Sequence, residues 1–427
     1  MDEIVALAKR RGFIFQSSEL YGGVNGIWDY GPTGVELKRN IREAWWRDMV
    51  ALRDDVVGIE TSVIMHPDVW RASGHVEHFT DMMVDCKTCK KRFRADHVTG
   101  DQCPACGNRT LTEPRAFNLM FRTQIGAMES ESSEAYLRPE TAQGMFVDFK
   151  LAYQTARKKP PFGLAQIGKA FRNEITPGNF IFRSREFELM EMEYFVAPEP
   201  EEGLRWYRYW VEQRFNWWLQ LGLQPERLRK HEYSGAELAH YSTATTDLEY
   251  DYPFGWGELE GIAHRGSFDL TQHVNSSGKD LSFYDEETKL KFLPAVIEPA
   301  LGVDRALLVF LLDAFEKESD RSVLHLHPRL APYKVAVFPL VRNKADIVEM
   351  AAKIERSLRS AFRTVFDDSG NVGKRYYRQD EIGTPLCITV DYESLEKHDV
   401  TVRDRDSKVQ ERIATAKLDE YLRSRLQ

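Results

Sequence analysis

Residues 163–195 read GLAQIGKAFRNEITPGNFIFRSREFELMEMEYF, and this stretch decides how the chain folds. It contains two strand-like runs on either side of a loop with Pro177, Gly178 and Asn179, which are residues typical of turns. After the loop, side chains of different character alternate residue by residue, and this period of two predicts a half-buried antiparallel strand. The stretch is therefore predicted to form a β-hairpin.

The second strand of this hairpin has two dissimilar faces. One face is predicted to carry Met190, Met192, Tyr194 and Val196, and the other Phe187, Leu189, Glu191 and Glu193. Arg172, Arg183 and Arg185 lie within fourteen residues beside the second face, and planar guanidinium groups suit phosphate oxygens well. This face could therefore hold a flat ring, a polyanion and a small cation together. The alternative interpretation is an ordinary hairpin with weak surface ion pairs.

A second anion site is indicated by VIEPALGVDR (296–305). Here a glycine turn opens an apolar helix, and Arg305 lies in the first turn of that helix. Helix N-termini attract anions and bring backbone N–H groups within their reach. Taken alone this pattern is weak, because an arginine at such a position is more often a surface residue.

Four of the five cysteines lie in DCKTCKKRFRADHVTGDQCPACGN (85–108). They form two Cys-x-x-Cys pairs, which are Cys86 with Cys89 and Cys103 with Cys106. Four thiolates in two such pairs suit a tetrahedral Zn²⁺ that leaves no coordination position for substrate, so we expect a structural zinc ribbon. His97 lies between the pairs, and exchange of one cysteine ligand for this histidine is a minor alternative.

Length and composition are those of an ordinary globular protein. The chain has 427 residues, of which 42% are hydrophobic and 29% charged, so it is long enough for two or more domains. No apolar run reaches the roughly 18 residues of a membrane span, and the charged N-terminus lacks the apolar core of a secretory signal. We therefore expect a cytoplasmic protein with no membrane partner, and such a location disfavours disulfides.

The charge is unevenly distributed along the chain. A net charge of −8 argues against broad nucleic-acid affinity. Residues 331–427, however, carry 18 Lys+Arg against 16 Asp+Glu, hence +2, whereas the remainder carries −10. The carboxyl end is therefore the part better suited to face RNA.

A long amphipathic helix is predicted after Tyr30-Gly31-Pro32, with Thr33 as its cap. Its apolar residues recur at helical spacing, and they are Leu37, Ile41, Trp45, Met49 and Leu52. Such a stripe is typical of core packing, but a homodimer interface resembles a domain core cut in half, so both interpretations stay open.

Together these motifs resemble those of the class II aminoacyl-tRNA synthetases. FRNE with its loop and RxREF resembles motif 2, GVDR resembles motif 3, and YGP with the following helix resembles motif 1. Longer matches resemble the homodimeric type of glycyl-tRNA synthetase, and they are QSSELYGGVNGIWDYGP (16–32), YLRPETAQG (136–144), AQIGKAFRNEI (165–175), ELEGIAHR (258–265) and VIEPALGVDR (296–305). The similarity extends over essentially the whole chain.

The resemblance implies an α+β fold and two domains. Residues 1–330 are expected to form a catalytic domain with an antiparallel sheet flanked by helices and a zinc-ribbon insertion at 85–108. Residues 331–427 resemble the α/β anticodon-binding domain shared by several class II synthetases. Alternating strands and helices in this region independently predict a mostly parallel sheet, followed by a closing helix over 411–426. The family is homodimeric, and motif 1 builds the contact between subunits.

The implied activity is ATP-dependent attachment of glycine to the 3′ end of its tRNA through a glycyl-adenylate. ATP, glycine and tRNA are the expected partners, and Mg²⁺ is expected to accompany ATP. Arg172 and Arg305 are the implied catalytic residues, Arg172 at the α-phosphate. Adenine would stack between Phe187 and Arg305, Glu174 would bind its amino group, and Arg183 or Arg185 would hold the distal phosphates.

The resemblance also implies two sets of binding residues. The ATP site would comprise Arg172, Asn173, Glu174, Phe182, Arg183, Arg185, Glu186, Phe187, Glu258, Leu259, Gly302, Asp304 and Arg305. The glycine site would comprise Arg94, Glu140, Glu191, Arg265, Glu298, Ala300 and Gly302. Its carboxylates are expected to bind the ammonium group, and a tight wall to exclude larger amino acids. Ala300 stands where the family commonly has a serine, so that hydroxyl is missing here.

Two other functions remain open at this point. One is a non-catalytic synthetase paralogue that binds RNA or protein; such proteins usually lose the arginines of motifs 2 and 3, and the presence of Arg172 and Arg305 disfavours it. The other is an enzyme of the same fold that charges a different amino acid.

Overall fold

The structure, a computed structural model, describes residues 1–126, 133–234 and 242–426. Within these ranges the α-helices are α1 (Asp2–Arg10), α2 (Pro32–Trp46), α3 (Pro67–Ala72), α4 (His75–His78), α5 (Ala142–Val147), α6 (Phe149–Ala156), α7 (Pro200–Gln220), α8 (Phe268–Ser277), α9 (Val303–Ala314), α10 (Ala345–Leu358), α11 (Val372–Ile382), α12 (Tyr392–Lys397) and α13 (Leu418–Leu426). None of these described helices has both the length and the apolar character needed to span a bilayer.

The strands of the same ranges are numbered along the chain. They are β1 (Ile14–Gln16), β2 (Trp28–Tyr30), β3 (Val56–Gly58), β4 (Thr80–Asp85), β5 (Arg92–Arg94), β6 (Arg115–Asn118), β7 (Phe121–Gln124), β8 (Glu134–Leu137), β9 (Phe162–Phe171), β10 (Glu186–Val196), β11 (Leu228–Glu232), β12 (Ala244–Tyr252), β13 (Gly255–Gly266), β14 (Phe283–Tyr284), β15 (Lys291–Phe292), β16 (Ala295–Gly302), β17 (Phe315–Lys317), β18 (Ser322–Leu324), β19 (Val335–Pro339), β20 (Thr364–Phe366), β21 (Leu386–Val390), β22 (Asp399–Asp404) and β23 (Gln410–Ala414).

The central sheet contains the predicted hairpin. Its described strands run in the order β11-β12-β13-β16-β10-β9-β3, and every neighbouring pair is antiparallel except β3 and β9. Strands β9 and β10 pair from Phe171 opposite Glu186 to Phe162 opposite Phe195. The hairpin and the α+β class with a largely antiparallel sheet are therefore confirmed.

The prediction that β10 is only half buried was wrong. Every residue from Glu188 to Val196 is buried. The methionine face packs in a core with the tryptophans of α7, whereas Phe195 on the other face packs with Phe146 of α5. The alternation of polar and apolar residues suggested that one face of β10 is exposed to water. The carboxylates on that face instead line an enclosed polar site.

The motif 1 helix, α2, begins at Pro32, and Gly31 is its cap, so the prediction of Thr33 as cap was wrong. Proline is favoured at the first helical position because its missing N–H would have no partner there. A π-helical turn, Arg47–Ala51, continues the helix. Of the predicted stripe, Leu37, Ile41, Trp45 and Met49 are buried within the chain's own core, and Leu52 is exposed.

The carboxyl-terminal sheet has the order β20-β19-β21-β22-β23. Strands β20, β19 and β21 are parallel, but β22 and β23 are antiparallel additions, so the mostly parallel sheet was a wrong prediction. The predicted helix over 411–426 is also corrected. Its first part is strand β23, which pairs with β22 along a tight hairpin, and only Leu418–Leu426 is helical. Strand pairing overrides local helix propensity there.

A buried ionic cluster joins the carboxyl-terminal sheet unit to the rest of the chain. Asp380 of α11 accepts hydrogen bonds from Arg321, 2.8 Å away just before β18, and from both terminal nitrogens of Arg403 in β22 at 2.9 and 3.1 Å. All three side chains are buried. A buried charge of this kind is stable only while its partners remain, so Asp380 fixes how the unit sits on the rest of the chain.

Replacement of Asp380 by alanine should destabilise the protein strongly. It would leave Arg403 without its carboxylate and Arg321 with Glu318 alone, and removal of one partner from a buried ion pair costs about 3–5 kcal/mol. Urea denaturation followed by tryptophan fluorescence and circular dichroism measures this change. The matched control is Asp419→Ala, which removes an exposed ion pair with Arg423 on α13 and should leave the urea midpoint unchanged. Equal midpoints for the two variants would contradict the assignment.

Candidate active site

A cleft of about 210 Å³ lies between the β9–β10 hairpin and the start of α9. The hairpin supplies one wall and the end of β16 with the helix start supplies the other. Its lining residues are Arg172, Glu174, Ile181, Phe182, Arg183, Ser184, Phe187, Leu189, Glu191, Glu258, Ala300, Gly302, Asp304 and Arg305. The arginines of the two separate sequence motifs, Arg172 and Arg305, therefore face one shared cavity.

Arg172 is held at the hairpin side of the cleft. Its Nε donates a hydrogen bond to the carbonyl oxygen of Pro139 at 3.0 Å. Its guanidinium carbon lies 5.4 Å from the ring centre of Phe187 and 5.5 Å from that of Phe79. Two aromatic faces and one carbonyl thus fix a permanent positive charge beside the ring of Phe187.

Arg305 is held at the opposite wall. Its Nε donates to the carbonyl of Phe182 at 3.2 Å, its guanidinium lies 4.6 Å from the Phe182 ring centre, and Nη1 is 2.9 Å from the Glu258 carboxylate. The Arg305 charge lowers the pKa of Glu258. In this structure Arg305 therefore faces Phe182, and adenine stacking between Arg305 and Phe187 stays a prediction.

The two loop arginines differ in their surroundings. Arg185 donates to the carbonyl of Glu174 at 3.1 and 2.9 Å and to that of Asn25 at 2.8 Å. Arg183 lines the cleft, and its nearest carboxylate oxygen belongs to Glu174 at 3.9 Å. Arg185 is thus committed to the backbone, whereas Arg183 points its charge toward the cleft.

Asp304 joins several segments below the cleft. Its Oδ1 accepts from the Tyr30 hydroxyl and, at 3.1 Å, from Lys38 Nζ, and its Oδ2 accepts from the Glu188 backbone N–H at 2.8 Å. Burial and the Asp304 charge raise the pKa of Tyr30, so the phenol stays a donor. Both oxygens of Asp304 are therefore engaged by protein groups.

Four residues of the predicted ATP set do not belong to the described lining of the cleft. Asn173 bonds through its N–H to Leu119, Glu186 pairs with Lys169, and Leu259 is buried in the core, while Arg185 is the fourth. Gly302 does line the cleft as the cap of α9. These four residues border the cleft and support its walls.

An acidic niche adjoins the cleft on the same face of the sheet. Glu191 Oε2 accepts from the Thr141 N–H at 2.7 Å and from the Thr141 hydroxyl. Glu298 Oε2 accepts from Arg265 at 2.7 Å. Glu140 lies 3.3 Å from His75 Nε2 and accepts from Gln143 at 3.0 Å.

The carboxylates of the niche differ in how strongly they hold a proton. Burial raises the pKa of Glu140, but His75, Arg265 and Gln143 outweigh burial and lower it overall. Burial and the Glu140 charge raise the pKa of Glu191. Burial raises the pKa of Glu298 to about 8, although Arg265 opposes the change. Enclosure of several carboxyl groups together therefore disfavours the charged forms of Glu191 and Glu298, and a small cation beside them would stabilise those forms.

The other residues predicted to bind the substrate glycine have different surroundings. Ala300 is paired with Glu191 across β10 and β16 and lines the cleft. Arg265 is fixed by a two-pronged contact with Asp269 at 2.8 and 2.9 Å. Arg94 lies in β5 and pairs with Asp81 at 3.0 Å and Asp96 at 2.8 Å, outside the described lining of the cleft.

The four cysteines come together as predicted. Their Sγ atoms all lie within 4.8 Å of one another, with Cys86 3.7 Å from Cys106 and Cys89 3.6 Å from Cys103. Tetrahedral Zn–S bonds of about 2.3 Å require S···S separations of about 3.8 Å, so the cluster could hold a metal ion such as zinc. The Cys89 N–H lies 3.5 Å from the Cys86 sulfur, and such donors lower the pKa of that thiol to about 6.

Comparison with known proteins gives the family. Residues 334–425 match a family model described as an anticodon binding domain. The whole chain aligns with curated glycine–tRNA ligases, at 51% identity with that of Streptomyces coelicolor over 98% of its length and 52% with that of Borreliella burgdorferi over 97%. The protein of the same name from Caldanaerobacter subterraneus is 49% identical over 98% of its length.

The chain belongs to the glycine–tRNA ligase family. This confirms the resemblance drawn from the motifs, and the matched anticodon-binding region coincides with the sheet unit of β19–β23. The homodimeric assembly of that family type stays a prediction for this chain. So do the individual roles of the predicted site residues.

Several residues that support the candidate site were not singled out from the sequence. They are His75, Phe79, Gln143, Asp269 and Lys38, and each contacts a predicted residue. His75 and Phe79 reach the site only through tertiary folding, whereas Gln143 lies in the matched stretch 136–144, Lys38 in the predicted helix after Pro32, and Asp269 four residues after Arg265. Glu193 is different: its place on the carboxylate face of β10 was evident from alternation.

Proposed function

We propose that this chain activates glycine with ATP and transfers it to the 3′ end of tRNA. As a glycine–tRNA ligase it is an aminoacyl-tRNA synthetase, an enzyme. One observation carries the mechanistic proposal: Arg172 and Arg305 line a single cleft beside a niche of three glutamates, of which Glu191 and Glu298 are buried and Glu140 is partly buried. That combination suits a polyphosphate and an ammonium group held close together.

In the first step, the glycine carboxylate attacks the α-phosphorus of ATP in line and pyrophosphate leaves. No general base is needed, since the carboxylate is already ionised, so catalysis rests on positioning and on stabilisation of charge. Arg172 holds the α-phosphate between Phe187 and Phe79. Arg305 closes the nucleotide site from the opposite wall. In the second step, a ribose hydroxyl at the tRNA 3′ end attacks the activated carbonyl.

The nucleotide base is assigned to the Glu174 end of the cleft. Glu174 Oε2 is buried and has no hydrogen-bond partner among the described residues. An adenine amino group would supply the missing donor. Of the two loop arginines, we assign the distal phosphates to Arg183, because Arg185 is occupied by backbone carbonyls. Mg²⁺ would accompany the bound ATP and offset part of its phosphate charge.

The glycine site is assigned to the acidic niche. Glu140, Glu191 and Glu298 would surround the ammonium group, and Arg265 fixes Glu298. Ala300 provides a methyl group in the wall, and exclusion of larger amino acids is steric. Arg94 is assigned an indirect role, because its guanidinium group is already paired with Asp81 and Asp96.

The larger assembly is assigned as follows. Residues 1–330 form the catalytic domain, and 331–427 form the anticodon-binding domain. The cysteine cluster at 85–108 holds a structural Zn²⁺ that fixes strands β4 and β5. Two chains associate as a homodimer through the motif 1 region. An accessory, non-catalytic role is disfavoured because both motif arginines line the cleft.

Arg172→Ala should abolish adenylate formation without unfolding the protein. Loss of a single charge-stabilising donor costs about 100- to 1000-fold in rate. The measurement is the rate of ATP–pyrophosphate exchange in the presence of glycine. Parallel reactions with alanine or serine in place of glycine show which amino acid stimulates exchange. Arg359→Ala, at an exposed end of α10, is the matched control and should exchange normally. Exchange at wild-type rate in the Arg172 variant would refute the assignment.

Zinc should be present at about one ion per chain in freshly purified protein. Metal analysis by mass spectrometry measures it, and thiol modification should release the ion. Cys103→Ser should lower the zinc content and the thermal stability of the ribbon strands, whereas Cys387→Ser, at a buried cysteine of β21, should leave the zinc content unchanged. Freshly purified protein without zinc would count against the metal site.

A further inference from the structure

Glu193 is a buried acid to which the proposed reaction gives no role. It lies in β10, its side chain is 0% exposed, and both of its carboxyl oxygens are inaccessible to solvent. No donor among the described residues reaches either oxygen. Burial of an unpaired carboxyl group costs free energy, and buried polar groups of this kind often have a role in a nearby site.

The register of the sheet puts Glu193 next to the glycine niche. Glu191 pairs with Ala300 and Tyr194 with Ile297, which sets Glu193 directly across from Glu298 on the same face. The Cβ atoms of such opposite residues are about 4.5–5.5 Å apart, within reach of a hydrogen bond between the two carboxyl groups. On its other side Glu193 pairs with Leu164 of β9. Toward the core the next residue on its face is Phe195.

The charges around Glu193 favour its neutral form. Burial, followed by the Glu298 charge, raises the pKa of Glu193 well above its ordinary value, and Arg265 compensates only partly. The titratable groups that face this part of the niche from the surrounding elements are Glu191, Glu298, Arg265, Asp269, His273 and Glu140. Four of these six are further carboxylates. A protonated Glu193 is therefore a hydrogen-bond donor surrounded by acceptors.

We propose that Glu193 is a positioning residue for glycine, a neutral carboxylic acid that donates a hydrogen bond to Glu298 and keeps Glu298 ionised toward the substrate ammonium. This inference rests on the proposed function of the niche. Glycine needs an ionised Glu298, yet burial alone favours protonation of that residue. A hydrogen bond donated to the charged form favours that form. An acid kept neutral by an apolar setting supplies such a donor at neutral pH.

Two other roles for Glu193 give different expectations. It could serve as a fourth negative charge for the ammonium group, in which case its charge matters. It could also be a space-filling side chain, in which case only its volume matters. Glutamine, which keeps a donor without a charge, and leucine, which keeps volume without a donor, separate the three roles.

The experiment measures glycine-dependent pyrophosphate exchange in full-length wild type and in Glu193→Gln and Glu193→Leu. We expect Glu193→Gln to keep KM for glycine within about threefold, since its amide can donate to Glu298. Glu193→Leu should raise KM for glycine at least about tenfold, as for loss of a hydrogen bond to a charged group, with KM for ATP unchanged. In the leucine variant, the rise of kcat/KM for glycine with pH should also occur about one pH unit higher than in wild type, because Glu298 ionises less readily.

Each alternative outcome contradicts the proposal. An equal increase of KM for glycine in the glutamine and leucine variants would mean that the charge of Glu193 matters. A wild-type KM for glycine in the leucine variant would mean that no donor is needed. Failure of wild type to exchange with glycine would instead refute the proposed function. Glu286→Gln, an exposed glutamate between β14 and β15, is the control and should match wild type in every readout.

Thermal unfolding at pH 5 and pH 8 checks folding and protonation together. The folded-state pKa of Glu193 is raised above the value near 4.3 of an unfolded glutamate, so wild type loses stability as pH rises through that interval. Both variants lack this loss, and their Tm relative to wild type should be higher at pH 8 than at pH 5. Glu193→Met replaces the leucine variant if that one fails to fold. A Tm difference independent of pH would contradict the neutral acid.

Discussion

The Asp304 carboxylate is the contact on which the geometry of the active site depends. Its two oxygens receive a phenol from the strand before α2, an ammonium group from α2 and a backbone N–H from β10. All three sequence motifs thus meet at one buried acceptor at the start of α9. Arg305 follows directly in the chain, so its position relative to Arg172 on the hairpin is set by this junction and not by the nucleotide. The two guanidinium groups are therefore pre-positioned before ATP binds.

Beside this cationic cleft, the niche of buried glutamates supplies the opposite charge within one face of a single sheet. Strands β10, β16 and β13 contribute Glu191, Glu298 and Arg265, and the loop before α5 contributes Glu140. Burial disfavours so many negative charges in one niche, and an ammonium group among them would offset that cost. Glycine combines the required cation with a minimal volume. In the proposed glycine site, selection by charge and selection by size thus arise from the same enclosed space.

Much of this organisation could be predicted from the sequence, because its signals are local. The β9–β10 hairpin follows from turn residues and alternation, and the cysteine cluster from its spacing. The errors have tertiary causes. Packing on both sides of β10 buried a strand that looked half exposed, and pairing with β22 turned the start of a predicted helix into β23. His75 was not predictable as a partner of Glu140, because only folding brings the two segments together. Asp269 lies just four residues after Arg265, but it belongs to no quoted motif, so this ion pair was not anticipated either.

The most direct test is single-turnover formation of glycyl-adenylate by Asp304→Asn. Asparagine replaces one acceptor oxygen with an NH₂ donor. At least one of the three groups that donate to Asp304 would then face another donor, and that hydrogen bond would be lost. We predict a rate at least about 100-fold lower with the fold intact, and no further loss when Arg305→Ala is added, since both residues act as one unit. Asp313→Asn, at the far end of α9, is the matched control. Adenylate formation at the wild-type rate by Asp304→Asn would contradict this account.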